Sequence, residues 1–297
     1  MAYNAPMKLE TLTLRPERPN GAPPLLFIHG SFCGAWIWAE HFMPYFAAHG
    51  WECHALSLRG HGESSGNESL PWWSLEDYVQ DVTDVIAKME RPPILIGHSM
   101  GGMIAQIYTQ THVVPGMVLL ASVPAEGLTT CAWHMMFQAP EMLMQIGMMP
   151  FFGIESVSPN VMHRTFFSDA TPHEEVSHFM LLMQQESQRV TADLLQPPLI
   201  PGKCKAEHRL VVAGGKDRMV SVGGLSRTAE YYDAELIVDP VLPHGLMLDH
   251  SWQRAADHVL DWLDHIFLGE ARQNGPGQNG PGHNNSGQNT SGQKAAQ

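Results

Sequence analysis

A chain of 297 residues with 44% hydrophobic content can bury one large core, so a single domain carrying an insertion is expected rather than two small domains. A formal charge of −13 with only 17 Lys plus Arg leaves no basic run along which phosphates could be neutralised, which argues against a nucleic-acid partner. The opening MAYNAPMKLETLTL lacks the basic-then-apolar order of a secretory signal. No stretch approaches the roughly 20 apolar residues that span a bilayer, so a cytoplasmic chain without stable membrane insertion is expected.

Short apolar runs predict strands at 8–14, 24–29, 52–57, 94–98, 115–121, 208–213 and 234–238. Between them, apolar residues recurring at three and four predict helices near 37–48, 75–90, 100–111, 221–231 and 249–267. The segment LEDYVQDVTDVIAKME is the clearest, with Leu75, Tyr78, Val79, Val82, Val85, Ile86 and Met89 on one face. Such alternation predicts an α/β fold, a mostly parallel central sheet flanked by helices.

The alternation stops between about 124 and 198, where no strand is expected and half of the 18 methionines lie. This stretch is expected to be a helical cap inserted between a first core part, 1–123, and a second, 199–272. Its Met and Phe residues either fill a core or line an apolar substrate pocket. From 273 the repeated QNGPG holds no large apolar residue and is expected to be a disordered tail.

The most informative run is PILIGHSMGG at 93–102, followed by the helical MIAQIYTQ. It reads as G-x-S-x-G with a strand before and a helix after, the setting in which Ser99 is lifted out of a sheet as a nucleophile. The small Gly97 and Gly101 let strand and helix approach, and the helix N-terminus places partial positive charge beside a developing oxyanion. A serine hydroxyl needs a base, and the base needs a carboxylate to hold its tautomer. LVVAGGKD ends a predicted strand on Asp217, and ELIVDPVLPHGL ends the next on His244. Both therefore belong at the sheet edge that carries Ser99.

Two backbone N–H donors are required for the tetrahedral intermediate. Met100, after the serine, is one candidate. In LLFIHGSF, Ser31 is the other, with Phe32 as second choice. His98 and His29 are expected to be structural. Cys33, Cys53, Cys131 and Cys204 lack CxxC spacing, so reduced thiols are expected, with no metal and no cofactor.

The set HGSFCGAW, RGHGES, GHSMGG, GGKDRMV and PHGLML resembles the α/β-hydrolase superfamily across nearly all of 8–268, in particular its capped serine esterases and lysophospholipase-like members. HG-x-x-x-GAW-x-W is also similar to plant methylesterases and hydroxynitrile lyases. The resemblance implies the chain order Ser, Asp, His, and a cap over the nucleophile at 124–198. One strand precedes 24–29 where the family usually has two, so the sheet edge is expected to be trimmed.

Serine at position 99 argues against epoxide hydrolases and haloalkane dehalogenases, which attack through a carboxylate. The apolar cap favours an uncharged hydrophobic ester, with Phe32, Trp133, Met136 and Phe137 expected to contact it. Alternatives are a C–C bond hydrolase or hydroxynitrile-lyase-like enzyme, an acyltransferase or perhydrolase, and a ligand receptor on the same fold. The C–C hydrolases usually carry Asn where His98 stands.

Overall fold

The computed structural model describes residues 7–138, 140–197, 199 and 203–269. The tail expected from 273 lies outside them. The described residues form seven strands: β1 (Glu10–Leu14), β2 (Leu25–Ile28), β3 (Cys53–Ser57), β4 (Ile94–His98), β5 (Val114–Leu120), β6 (Ala206–Gly214) and β7 (Glu235–Asp239). They form one sheet in the order β1-β3-β2-β4-β5-β6-β7, with β1 antiparallel to β3 and every other pair parallel. Among the described residues a single strand precedes β2.

Strand side chains alternate between two cores because successive Cβ atoms point to opposite faces. Leu25, Phe27, Ile94, Ile96, Val118, Leu120, Leu210 and Val212 pack on one face with α1 (Trp36–Ala39), α2 (Phe42–Ala48) and α11 (Trp252–Leu268). Leu26, Ile28, Leu95, Met117, Leu119, Val211 and Ala213 pack on the other with α3 (Leu75–Ile86), α4 (Met100–Thr109) and α10 (Val222–Tyr232). Burial on both faces explains why these strands read as continuous apolar runs.

The single helix expected at 37–48 is two, broken around His41. Helix α3 starts on a capping box in which Ser74 and Asp77 bond each other's backbone N–H. Its buried face includes Asp81, which the apolar pattern does not reveal. Arg59 compensates that carboxylate with bonds of 2.9 Å from Nε and 2.7 Å from Nη2.

Between β5 and β6 the described residues form five helices and no strand: α5 (Thr129–Gln138), α6 (Pro140–Phe152), α7 (Pro159–Phe166), α8 (His173–Leu182) and α9 (Gln188–Asp193). They bury a third cluster of their own, including Met135, Met142, Met149 and Met162, into which the side chain of Phe32 inserts.

Candidate active site

The sheet reverses direction of growth at β2 and β4, which are neighbours with Ile28 opposite Gly97. A crevice forms at the carboxyl ends of strands at such a switch point. The loop after β2, His29 to Ser31, therefore lies beside the turn after β4.

That turn is a single residue. Ser99 has φ 51° and ψ −115°, between the end of β4 and the first turn of α4. A side chain other than glycine rarely adopts positive φ, so the surroundings must hold it there. Ser99 N–H donates to Leu120 at 3.1 Å and its carbonyl accepts from Val123 at 3.0 Å, which ties the turn to the end of β5. A Cβ on Gly97 would strike the carbonyl oxygen of Gly101, and one on Gly101 the carbonyl oxygen of Ile28. Both glycines are required by close approach.

His244 lies on the loop between β7 and α11, with Nε2 3.2 Å from Ser99 Oγ and Nδ1 2.8 Å from Asp217 Oδ2. The other carboxylate oxygen of Asp217 accepts the N–H groups of Met219 and Val220, each at 2.8 Å. Gly215 N–H to Asp239 at 2.7 Å and Lys216 N–H to Leu242 at 3.0 Å clasp the aspartate loop to the histidine loop. With Nδ1 protonated toward the carboxylate, Nε2 presents a lone pair to the hydroxyl. Such a chain can take a proton from Ser99 and return it to a leaving group.

The hydroxyl of Ser31 donates to Met100 Sδ at 3.4 Å, so the two expected donor residues touch. Met100 N–H lies in the first turn of α4, where no intrahelical carbonyl reaches it. Phe32 N–H is committed elsewhere: it donates to Glu186 Oε2 at 3.2 Å. That leaves Ser31 the better placed of the two loop candidates.

His98 is tied to the histidine loop. Its Nε2 donates to the main-chain carbonyl of His244 at 3.0 Å. His29 bonds through both ring nitrogens, Nδ1 to Gly30 at 2.8 Å and Nε2 from Leu58 at 3.0 Å. Burial, and next the neighbouring His61, push its pKa down to about 3 and keep it neutral.

Above Ser99 opens a cavity of about 430 Å³. The loop residue Phe32 lines it together with helical residues that include Met135, Leu143, Ile146, Met162 and Met180. Its wall is overwhelmingly apolar, with Ser99, His98 and His244 at its polar end.

Trp133, Met136 and Phe137 correct the sequence expectation: none lines this cavity, and they are 56%, 45% and 77% exposed. The part of α5 turned inward carries Cys131, Ala132 and Met135 instead. Composition could place an apolar helix over the site but not its rotation about its own axis. Sequence reasoning also passed over Glu186 and Asp249. Asp249 is fully buried on the histidine loop and accepts bonds from Ser168 and Thr171, at 2.8 Å from Ser168 N and 2.7 Å from Thr171 Oγ1. No local pattern marks either acid.

Among the described residues no group of three or more His, Cys, Asp or Glu could hold a metal ion. No helix among them is long and apolar enough to cross a membrane.

A family model described as the alpha/beta hydrolase family matches residues 25–265. The chain belongs to that family. Among curated relatives, a pyrethroid hydrolase of Sphingobium wenxiniae is 32% identical over 108 residues, 35% of this chain. That match spans only 38% of the pyrethroid hydrolase. A monoacylglycerol lipase of Mycolicibacterium smegmatis is 25% identical over 245 residues, 75% of this chain and 82% of the lipase. A solved esterase from Thermogutta terrifontis covers 88% of this chain and 94% of its own, with a TM-score of 0.68 and 15% identity. At that identity it speaks for the α/β-hydrolase fold alone.

Proposed function

We propose that the protein is a serine hydrolase that cleaves hydrophobic carboxylic esters through an acyl-enzyme intermediate. The observation that carries this reading is the Ser99–His244–Asp217 chain, at 3.2 and 2.8 Å, opening into an apolar cavity. His244 takes the Ser99 proton as Oγ attacks the ester carbonyl, and Asp217 steadies the imidazolium. The carbonyl oxygen becomes an oxyanion held by the N–H groups of Ser31 and Met100. Collapse of the intermediate expels the alcohol, which receives the proton from His244. Water then repeats the sequence on the acyl-enzyme and releases the acid.

Residues 124–198 act as the cap that keeps bulk water from the site and shapes the cavity, whose volume falls within the range of small-molecule pockets. Relatives named as a monoacylglycerol lipase and a pyrethroid hydrolase support an apolar ester as substrate. The four free cysteines, Cys33, Cys53, Cys131 and Cys204, suit a reducing, cytoplasmic setting.

The test is hydrolysis of p-nitrophenyl esters from acetate to palmitate by the wild type and by Ser99→Ala. Turnover of some member, with a loss of roughly 10³-fold or more in the variant, is expected. A wild type silent on the whole series, while a fluorophosphonate still labels Ser99, would remove the simple-ester reading and leave the nucleophile standing.

A further inference from the structure

Glu186 is an acid with no part in the proton chain, and its carboxylate is completely buried. It follows α8 and reaches beneath the loop after β2. Oε1 accepts from Tyr78 Oη at 2.8 Å and from Ser187 N–H at 2.7 Å. Oε2 accepts from Phe32 N–H at 3.2 Å and faces His61 Nε2 at 3.4 Å. The other ring nitrogen of His61 lies 3.2 Å from the carbonyl of Arg59. Both nitrogens thus face acceptors, which suits a doubly protonated ring. Burial alone would lower the pKa of His61, but the Glu186 charge outweighs it and the net shift is upward.

Phe32 is held on its other side as well. Its carbonyl accepts from Gln184 N–H at 2.8 Å, so the strap at 184–186 grips both backbone groups of one residue. That residue has φ 66°, a conformation non-glycine residues rarely keep without outside support. Ser31, immediately before it, is the loop's oxyanion donor in the proposed mechanism.

The geometry points to Glu186, ion-paired with His61, as the positioning residue that fixes the backbone of Phe32 and so holds the preceding residue, Ser31, with its N–H toward the oxyanion. It rests on the reading of Ser99 as nucleophile. Two features separate this role from mere filling of space. The carboxylate accepts the N–H of the residue next to the proposed oxyanion donor. The side chain of Phe32 is rooted among Met135, Met142 and Met149, so the helical insertion and the loop after β2 share one packed cluster.

The experiment compares wild type, Glu186→Gln and Tyr78→Phe in ester hydrolysis and in binding two ketones of equal chain length. A trifluoromethyl ketone adds Ser99 Oγ and places an anionic oxygen in the hole, whereas the plain methyl ketone binds without adding. For Glu186→Gln the expected result is a kcat at least about tenfold lower with KM within about twofold. Its affinity for the trifluoromethyl ketone should fall by a similar factor, with methyl-ketone affinity unchanged. Tyr78→Phe, which removes one bond to the same carboxylate, should shift kcat in the same direction by less. Equal weakening of both ketones, or an unchanged kcat in a folded Glu186→Gln, overturns the assignment. If Glu186→Gln does not fold, Tyr78→Phe decides by the same pair of ketones.

Should the wild type turn over no ester, the rate of fluorophosphonate labelling at Ser99 is read across the variants instead, since that adduct also directs an oxygen into the hole. Slower labelling in Glu186→Gln then supports the role and equal labelling overturns it. A wild type that does not label removes the nucleophile itself, and the inference with it.

Discussion

His98 Nε2 donates to the main-chain carbonyl of His244 at 3.0 Å, so the residue before the serine holds the residue that faces the serine. The ring is buried, its centroid 5.0 Å from that of His244. Burial, and then the neighbouring His244, hold its pKa well below the usual histidine range, so it stays neutral with the proton on Nε2. In His98→Ala the histidine loop loses this tether and a cavity opens beneath it. Steady-state kinetics should show kcat down by about ten- to a hundredfold with KM little changed. Urea unfolding should show a loss of about 2–4 kcal/mol. An unchanged kcat would reduce His98 to a space-filling role.

Asp217→Asn separates charge from shape. Asparagine can still accept the Met219 and Val220 N–H groups through its oxygen, which turns its amide NH₂ toward His244 Nδ1. The imidazole must then carry its proton on Nε2, where it cannot receive one from Ser99. A fall in kcat of about 10³- to 10⁴-fold in a variant of near-native stability is expected, read by ester turnover and by thermal unfolding. A loss below tenfold would mean that Asp217 only shapes its own loop.

The strands and the three residues of the proton chain were legible because each carries a local signature. Continuous apolar runs mark strands buried on both faces, and glycine turns at their carboxyl ends mark Ser99 and Asp217. His244 follows from the loop after the next strand. What could not be read depends on rotation and on distance in sequence. Phe137 and Met135 are two residues apart on one helix, equally apolar, yet one is exposed and the other lines the cavity. Glu186 acts on Phe32 from 154 residues away, and nothing near either residue encodes the meeting. Phe32 itself was expected to touch substrate or to donate to the oxyanion. It does line the cavity, while its N–H is spent on Glu186.

The cavity wall should set chain-length preference. Ile146 lines it from α6 and is only partly buried, so a larger side chain there has room to enter. Ile146→Trp is expected to raise KM for esters of long acyl chains by about tenfold or more and to leave acetate and butyrate nearly unaffected. Phe137→Ala, outside the cavity, should leave the whole series within about twofold. The p-nitrophenyl series run on both variants checks this. A chain-length shift from Phe137→Ala with none from Ile146→Trp would place the acyl group outside the cavity described.

Acid should unfold the protein through its buried neutral histidines. His29, held down to about 3 by burial and then by His61, and His98, lowered by burial and then by His244, take up protons on unfolding once the pH drops below about 6.5. The unfolded chain then binds more protons than the native one, so stability falls with falling pH. Each group contributes up to about 1.4 kcal/mol per pH unit, together about 2.7. Below about pH 4.5 the carboxylates of Glu186, Asp239 and Asp249 add to the loss, because their bonding partners outweigh burial and lower their pKa values. His61 acts at the other end: its raised pKa gives stability that is complete below about 6.5 and fades as pH rises through the folded value. These groups together place maximal stability near pH 6 to 7. Urea unfolding from pH 8 to 4 tests the sum, and the same titration on His98→Ala tests the part. That variant should lose one proton's worth of slope between pH 6 and 4, and an unaltered slope would mean that His98 already titrates in the native protein.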